Sequence, residues 1–554
     1  MAAAARSLPD DAVLPARWRA ALLAPAVALF CAFWLLPMAA LLRVSGSEGL
    51  LATYTAALTT PRYLGSLVST VVLSAAVTLA TLVLSSVAGL FLVRHAVPGK
   101  RLITAMLTFP LAFPGVVVGF TVILLAGRQG LLGDLTLRLA GEKWVFAYSI
   151  GGLFLGYLYF SIPRVVLTVM AAAEKLDRSL EEAARSLGAS SWQVTRDVLV
   201  PGLAPALIAS GAICFATSMG AFGTAFTLAT DIDVLPMTIY TEFTLNAGMA
   251  MAAALSVVLG AVTWLVLAAA RVASGGPRGQ RRAGGSRGMK RLLPMAQWLV
   301  TLLLCLFLIV PVALSMAVGL TRNYIRGFKS GWTFDDWVAQ VWETYHASIW
   351  MSLLVALCTL AIVLAAGVPA GYVLARRQSR ASRLVEECLT LPVALPGLAT
   401  ALGLIIAYGG VGAFRESVWF IVCGHVVFTL PFMVRAVAAV CAAQDLKTLE
   451  EGAASLGATF WQRFRTIVLP NARPGILAGA LTVVTLSVGE FNLTWMLHTP
   501  QTKTLPVGLA DTYASMRLEI ASAYTLIFFV MIVPLLVLMQ RFGGLRTTNG
   551  NPSR

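Results

Sequence analysis

The sequence predicts an all-α, polytopic membrane protein built from two parallel six-helix repeats. Three observations predict it. Hydrophobic residues make up 58% of the 554-residue chain, charged residues 12%, and mean hydropathy is +0.82, which excludes an ordinary soluble domain. Twelve apolar runs approach or exceed the ~20 residues needed to cross a bilayer. The stretch 180–205 also reappears at 449–474, offset by 269 residues, with 13 of 26 aligned positions identical and no gap.

The runs of the first half lie near 20–42, 66–93, 102–127, 146–171, 204–230 and 247–270. Those of the second lie near 294–320, 347–375, 385–410, 416–442, 475–497 and 519–540. The first follows Arg17 and Arg19 with no small-residue cleavage site after it, so it reads as a retained helix rather than a signal peptide. Six crossings per half is an even number, so both copies enter the membrane in the same sense, as parallel repeats about an axis along the membrane normal.

Three further blocks carry the duplication. Ala88-Gly89 with Leu92 and Arg94 matches Ala370-Gly371 with Leu374 and Arg376. Thr108 to Gly115 matches Thr390 to Gly397, also at offset 282. Ser218-Met-Gly-Ala-Phe222 matches Ser487-Val-Gly-Glu-Phe491 at offset 269, so the first half has 13 additional residues near its outer loop 128–145. The division is therefore 1–271 for the first repeat, 272–292 for a Gly-rich, basic cytoplasmic linker, and 293–554 for the second repeat.

The net charge of +16 suits either nucleic acid or a membrane surface. With the amino terminus cytoplasmic, most of the 41 Lys and Arg fall on the cytoplasmic side, which favours the membrane and no nucleic-acid partner. Both termini are then cytoplasmic. Seven scattered cysteines without C-x-x-C and four histidines without ligand spacing give neither a disulfide frame nor a metal site. No G-x4-G-K-[ST] loop and no convergent reactive set is present, so the chain reads as no enzyme, with no cofactor of its own.

The repeated polar islands, 176–205 and 445–474, each read as a helix, a break and a second helix. Ser179-x-x-Glu182 and Thr448-x-x-Glu451 have the form of capping boxes for the first helix, and Ser190-x-x-Gln193 and Thr459-x-x-Gln462 for the second. Gly188 and Gly457 stand where a helix end favours positive φ. Pro201 and Pro470 are expected to stop the second helix before the next span. Glu182 and Glu451 read equally as plain caps; Trp192 and Trp461 read as headgroup anchors or as docking residues. The apolar content of the second helices (Trp192, Val194, Val198, Leu199; Phe460, Trp461, Phe464, Ile467) calls for a groove on a soluble partner.

Glu182-Ala-Ala-x3-Gly188-x9-Val198-x-Val-Pro201 and Glu451-Gly-Ala-x3-Gly457-x9-Ile467-x-Leu-Pro470 resemble the EAA loop of binding-protein-dependent ABC importer permeases. The resemblance spans nearly the whole chain, twice. It implies the type I (MetI-like) permease fold in a bacterial inner membrane. It also implies two copies of a cytoplasmic ABC ATPase that consumes ATP, and a periplasmic or lipid-anchored solute-binding protein. By resemblance Glu182, Ala184, Gly188, Glu451, Ala453 and Gly457 couple to the ATPase. Gly452, in place of the motif's first alanine, weakens the second elbow's first helix by about 1 kcal/mol relative to alanine. The fused layout is similar to ferric-iron, thiamine, polyamine and aminoethylphosphonate permeases. An ion-coupled secondary transporter is the alternative; it predicts more charges at mid-membrane than the sequence holds.

For the solute path, Pro114 and Pro396 interrupt the third and ninth runs, either as a kinked pathway wall or as a packing device. Ser218 and Ser487, with Glu490 and Asn492, belong to the other repeated segment. Glu490 is expected about 16 residues into a helix, ~24 Å from its cytoplasmic end, facing a pathway that favours cationic or hydrogen-bonding solutes or tethered to another helix. The outer acidic pairs Asp231/Asp233 and Asp335/Asp336 read as contacts for a binding protein or as ordinary loop ends.

Overall fold

The computed structural model describes residues 14–228, 232–274, 292–376, 379–444, 446–515 and 517–543. Most of the basic linker, and Asp231, lie outside these. Among the described residues the chain is helical, with one isolated bridge between Thr321 and Trp332. Eleven helices are long and apolar enough to span a membrane, or twelve if the bent pair 380–393 and 397–408 forms one span. We number them α1 (Ala16–Ser45), α2 (Pro61–Arg94), α3 (Gly115–Ala140), α4 (Ile150–Lys175), α5 (Ser191–Met219), α6 (Met249–Ser274), α7 (Met295–Gly319), α8 (Asp336–Arg376), α9 (Arg380–Val393 with Gly397–Tyr408), α10 (Val418–Ala443), α11 (Phe460–Val488) and α12 (Leu518–Leu535).

Four predicted spans are interrupted. The run 102–127 divides into a helix Lys100–Thr108, a 3₁₀ turn Phe109–Ala112 and a new helix from Gly115, with Pro114 at its N-cap. Its counterpart bends by 97° before Gly397, with Pro396 at the N-cap. The runs 204–230 and 475–497 stop at Met219 and Val488, and short helices Phe222–Leu228 and Asn492–Leu497 restart after each break. Hydropathy is blind to such breaks because the segment stays apolar on both sides.

Pro201 and Pro470 do not stop the elbow helices. Each lies at the start of a helix that continues out of a π turn, Thr195–Leu199 or Phe464–Val468. The N–H groups of Val200 and Leu469 reach back to Thr195 O and Phe464 O, one residue further than in an α-helix. This register shift absorbs the donor that proline lacks. The second elbow helix and the following span are therefore one continuous helix.

Each half lends its first span to the other. α1 lies along α8 and α9: Tyr408 donates from its hydroxyl to Ala32 O at 2.6 Å, and a Cβ on Gly403 would come within 2.6 Å of the Met38 side chain. α7 lies reciprocally against the first half, with the Tyr159 hydroxyl on Leu308 O at 2.6 Å. Co-expressed halves cut within 275–290 should therefore co-purify in detergent as one complex. Failure of a tag on either half to retain the other would rule out this exchange.

Candidate functional site

The two elbows are built alike. Gly188 (φ +86°) and Gly457 (φ +84°) end the first helices, Arg178–Ser186 and Leu446–Ser455. Gly188 N–H donates to Arg185 O and Ala189 N–H to Ala184 O, and the second copy repeats this with Gly457, Ala454, Ala458 and Ala453. This doubly bonded left-handed cap needs a residue without Cβ. It also gives Ala184 and Ala453 a definite task, as the carbonyls that close the turn. Both predicted second boxes form: Ser190 with Gln193, and Thr459 with Gln462.

The predicted first boxes do not form. Asp177 accepts from Ser179 N–H at 2.9 Å, which holds its carboxyl below the usual range and starts the helix before Ser179. Thr448 is already inside its helix. Glu182 is exposed and Glu451 half-buried, the latter 3.9 Å from both Arg376 and Lys447.

The residues that anchor the elbows are their neighbours, which sequence reasoning missed. Glu181 is buried and lies 2.6 Å from Arg94 at the C-terminal end of α2. Glu450 is buried, accepts from the Tyr372 hydroxyl at 2.6 Å and sits 3.9 Å from Arg376 at the end of α8. Arg94 and Arg376 were visible as a repeat match, and so was the Glu-Glu pair. The join between them is tertiary.

Exposure is narrower than expected. Val194, Leu199, Phe460 and Phe464 are buried against the chain's own spans. Trp18 of α1 stacks on Phe460 (centroids 5.0 Å apart) and meets Trp461 edge-on, covering the second elbow alone. What remains exposed is the same on both elbows: Leu180 and Leu449, Leu187 (83%) and Leu456 (89%), Trp192 (69%) and Trp461 (51%).

The second repeated interruption brings the halves together. Phe222 and Phe491, 269 residues apart, stack at 6.0 Å and 11°. Gly223 N–H donates to Asn492 Oδ1 at 2.9 Å, across the same offset. Residues that touch their own repeat equivalents mark the pseudo-two-fold axis. Both phenylalanines are buried, with Phe226, Tyr240 and Trp495 around them, so the axis is closed by aromatic rings. Pro396 packs on Gly220, and Pro114 is buried at the start of the helix whose Gly115 O accepts from Thr224.

Glu490 differs from the expected mid-helix carboxylate. It lies in the break after Val488, and its side chain accepts from Leu493 N–H, Thr494 N–H and the Thr494 hydroxyl, all at 2.9 Å by the nearer oxygen. His425 bridges Ser487 Oγ and Thr494 Oγ1, each at 2.8 Å. Arg415 donates to Leu497 O and Met496 O at the other end of the short helix. A negative group at the N-terminus and a positive one at the C-terminus both suit the helix dipole. In the first half Gly156, Ala221 and Ala225 replace His425, Glu490 and Thr494, and Ser218 Oγ is buried without a partner among the described residues. Among those residues no group of three or more His, Cys, Asp or Glu could hold a metal ion.

Arg94→Ala should strand Glu181 and loosen the first elbow by about 3 kcal/mol, seen as faster amide exchange over 178–186; adding Glu181→Leu should recover most of it. Burial pushes the Glu450 carboxyl up, against the opposing pull of Tyr372, Arg376 and Arg463. Its protonated form therefore favours the folded elbow. That stability is complete below the ordinary glutamate value of 4.5 and lost as pH rises through the elevated one. Exchange over 446–455, corrected for intrinsic rate, should be slower at acidic than at alkaline pH, and Glu450→Gln should remove the difference.

A family model described as binding-protein-dependent transport system inner membrane component matches residues 81–274 and 367–545. The probable ABC transporter permease protein y4fN of Sinorhizobium fredii is 27% identical over 90% of this chain and 91% of its own length. The molybdenum transport system permease protein ModB of Escherichia coli is 34% identical over 30% of this chain and 74% of its own. The sulfate transport system permease protein CysT of the same organism is 37% identical over 26% and 50%. A solved bacterial alginate ABC transporter, in complex with an alginate pentasaccharide-bound periplasmic protein, aligns at a TM-score of 0.41 and 18% identity over 46% of this chain and 93% of that one. The chain belongs to the family of binding-protein-dependent transport system inner membrane components, and carries the family's domain twice.

Proposed function

We propose that this permease forms the translocation pathway of an ATP-driven importer, moved by two copies of a separate cytoplasmic ATPase that grip one elbow each. A periplasmic or lipid-anchored binding protein delivers a small solute to its outer face. The observation that carries this reading is the matched set of exposed Leu, Leu and Trp side chains on the elbows. Large apolar groups at equivalent polar-island positions are unfavourable in water, and a pair of identical grooves on a partner would bury them. Ala184, Gly188, Ala453 and Gly457 shape the turns that present them, and Glu182 and Glu451 lie on the first elbow helices beside them. A buried ion pair behind each elbow transmits displacement to α2 or α8 rather than letting the elbow swivel.

The pathway follows the pseudo-axis, closed in this state between Phe222 and Phe491. Pro114, Pro396, Ser218, Ser487, Glu490 and Asn492 lie at the breaks of the helices that meet there. The family match does not favour an ion-coupled transporter. For the solute, the fused layout and the stretch 487–506 resemble ferric-iron, polyamine and aminoethylphosphonate permeases, and a Glu490 facing the path would favour a cationic or hydrogen-bonding one. That carboxylate is committed to helix N–H groups, and the names of the half-length relatives, molybdenum and sulfate, favour a small oxyanion.

Leu187→Asp with Leu456→Asp should abolish co-purification of the ATPase and ATP-dependent uptake in vesicles, while the permease still elutes as a folded monodisperse species. Retained uptake in that variant, or uptake driven by an ion gradient alone, would refute the coupling. Calorimetry of the cognate binding protein with molybdate, sulfate and spermidine decides the solute class.

A further inference from the structure

The two halves close the axis with unequal means. In the second half the short helix Asn492–Leu497 has its own N-terminal acceptor, the Glu490 carboxylate, and its own C-terminal cation, Arg415. In the first half Ala221 stands in place of Glu490. Helix Phe222–Leu228 is tied to its own half through Tyr157 on Ala221 O and Thr224 on Gly115 O. Neither tie reaches the Gly223 N–H, whose acceptor is Asn492 of the other half. The bond cannot be returned, because Gly223 has no side chain. A Cβ there would also lie 2.7 Å from Phe491 Cδ1, so this position admits the two partners only as glycine.

We propose that Asn492 is the latch of the closed pathway: a positioning residue of the second half that caps the first half's broken helix across the axis and must release it whenever the halves part. The latch rests on the path following the pseudo-axis, as read above, and not on how the elbows are driven. Parting the halves separates the Phe222–Phe491 stack and leaves the Gly223 N–H without its acceptor. Opening exchanges this bond for one to water, and the modest net advantage of the intramolecular bond biases the resting protein toward closure. The sequence asymmetry follows. One asparagine serves the partner's helix, so the opposing position is glycine and the opposing acidic cap is absent.

The test uses full-length permease in proteoliposomes carrying Ala221→Cys, with modification at that position by a membrane-impermeant maleimide quantified by peptide mass spectrometry. Ala221 is buried beside the stack, so its thiol reports axial opening. Asn492→Ala and the bulk-retaining Asn492→Leu should both raise the labelling rate about five- to tenfold, the range expected for one lost hydrogen bond. A parallel Ala212→Cys, buried on α5, should not change. Unchanged labelling at position 221 in both variants overturns the latch. A rise with Asn492→Ala alone assigns closure to side-chain volume and overturns it too, and a joint rise at 212 and 221 reduces Asn492 to a general stabilising residue. None of these outcomes depends on an ATPase, so they are distinguishable from failure of the elbow docking.

Discussion

Within a bilayer no water is available to a backbone N–H or C=O, so every interruption of a helix must be satisfied by protein. This constraint shapes the centre of the molecule. Four spans are broken, and around three of the breaks the described structure supplies partners from nearby side chains: Thr224 for Gly115 O, Tyr157 for Ala221 O, and Glu490 for two amides with Arg415 for two carbonyls. Broken helices that are completed by their neighbours cannot be placed independently of them. The breaks are therefore where the two halves become one structure, and where a rearrangement between the halves must be felt.

A duplicated chain is free to let its copies diverge, and here the copies differ in how the axis and the elbows are held. His425, Glu490 and Thr494 form a polar cluster where the first half has Gly156, Ala221 and Ala225. The small residues instead permit close packing, with Gly156 against the Thr224 methyl. The first elbow is held by the Arg94–Glu181 pair and by Arg178 on Val93 O, whereas Tyr372, Arg376 and the overlying Trp18 hold the second. The elbows thus offer the same exposed side chains on different supports.

The elbows also show how far local rules reach. Helix, glycine turn and second capping box were legible because each is decided within four residues. The choice between Glu181 and Glu182, and between Glu450 and Glu451, was not. One residue along a helix is a 100° rotation, and which carboxylate meets Arg94 or Arg376 depends on where the end of a distant span lies. The same limit explains the prolines: Pro201 and Pro470 read locally as stops, but the preceding π turns adjust the register and the helices run on.

By itself the sequence determined the number and parallel sense of the spans, the duplication, the elbow turns with Gly188 and Gly457, and the family. These follow from hydropathy, period and short-range capping, which depend on residues close together in the chain. Only the tertiary structure decided that the first spans are exchanged, that Glu490 caps a helix instead of standing along one, and that Phe222 and Gly223 meet Phe491 and Asn492. Those contacts join residues 269 apart through the packing of whole helices, and no local pattern encodes which faces two long apolar segments will share.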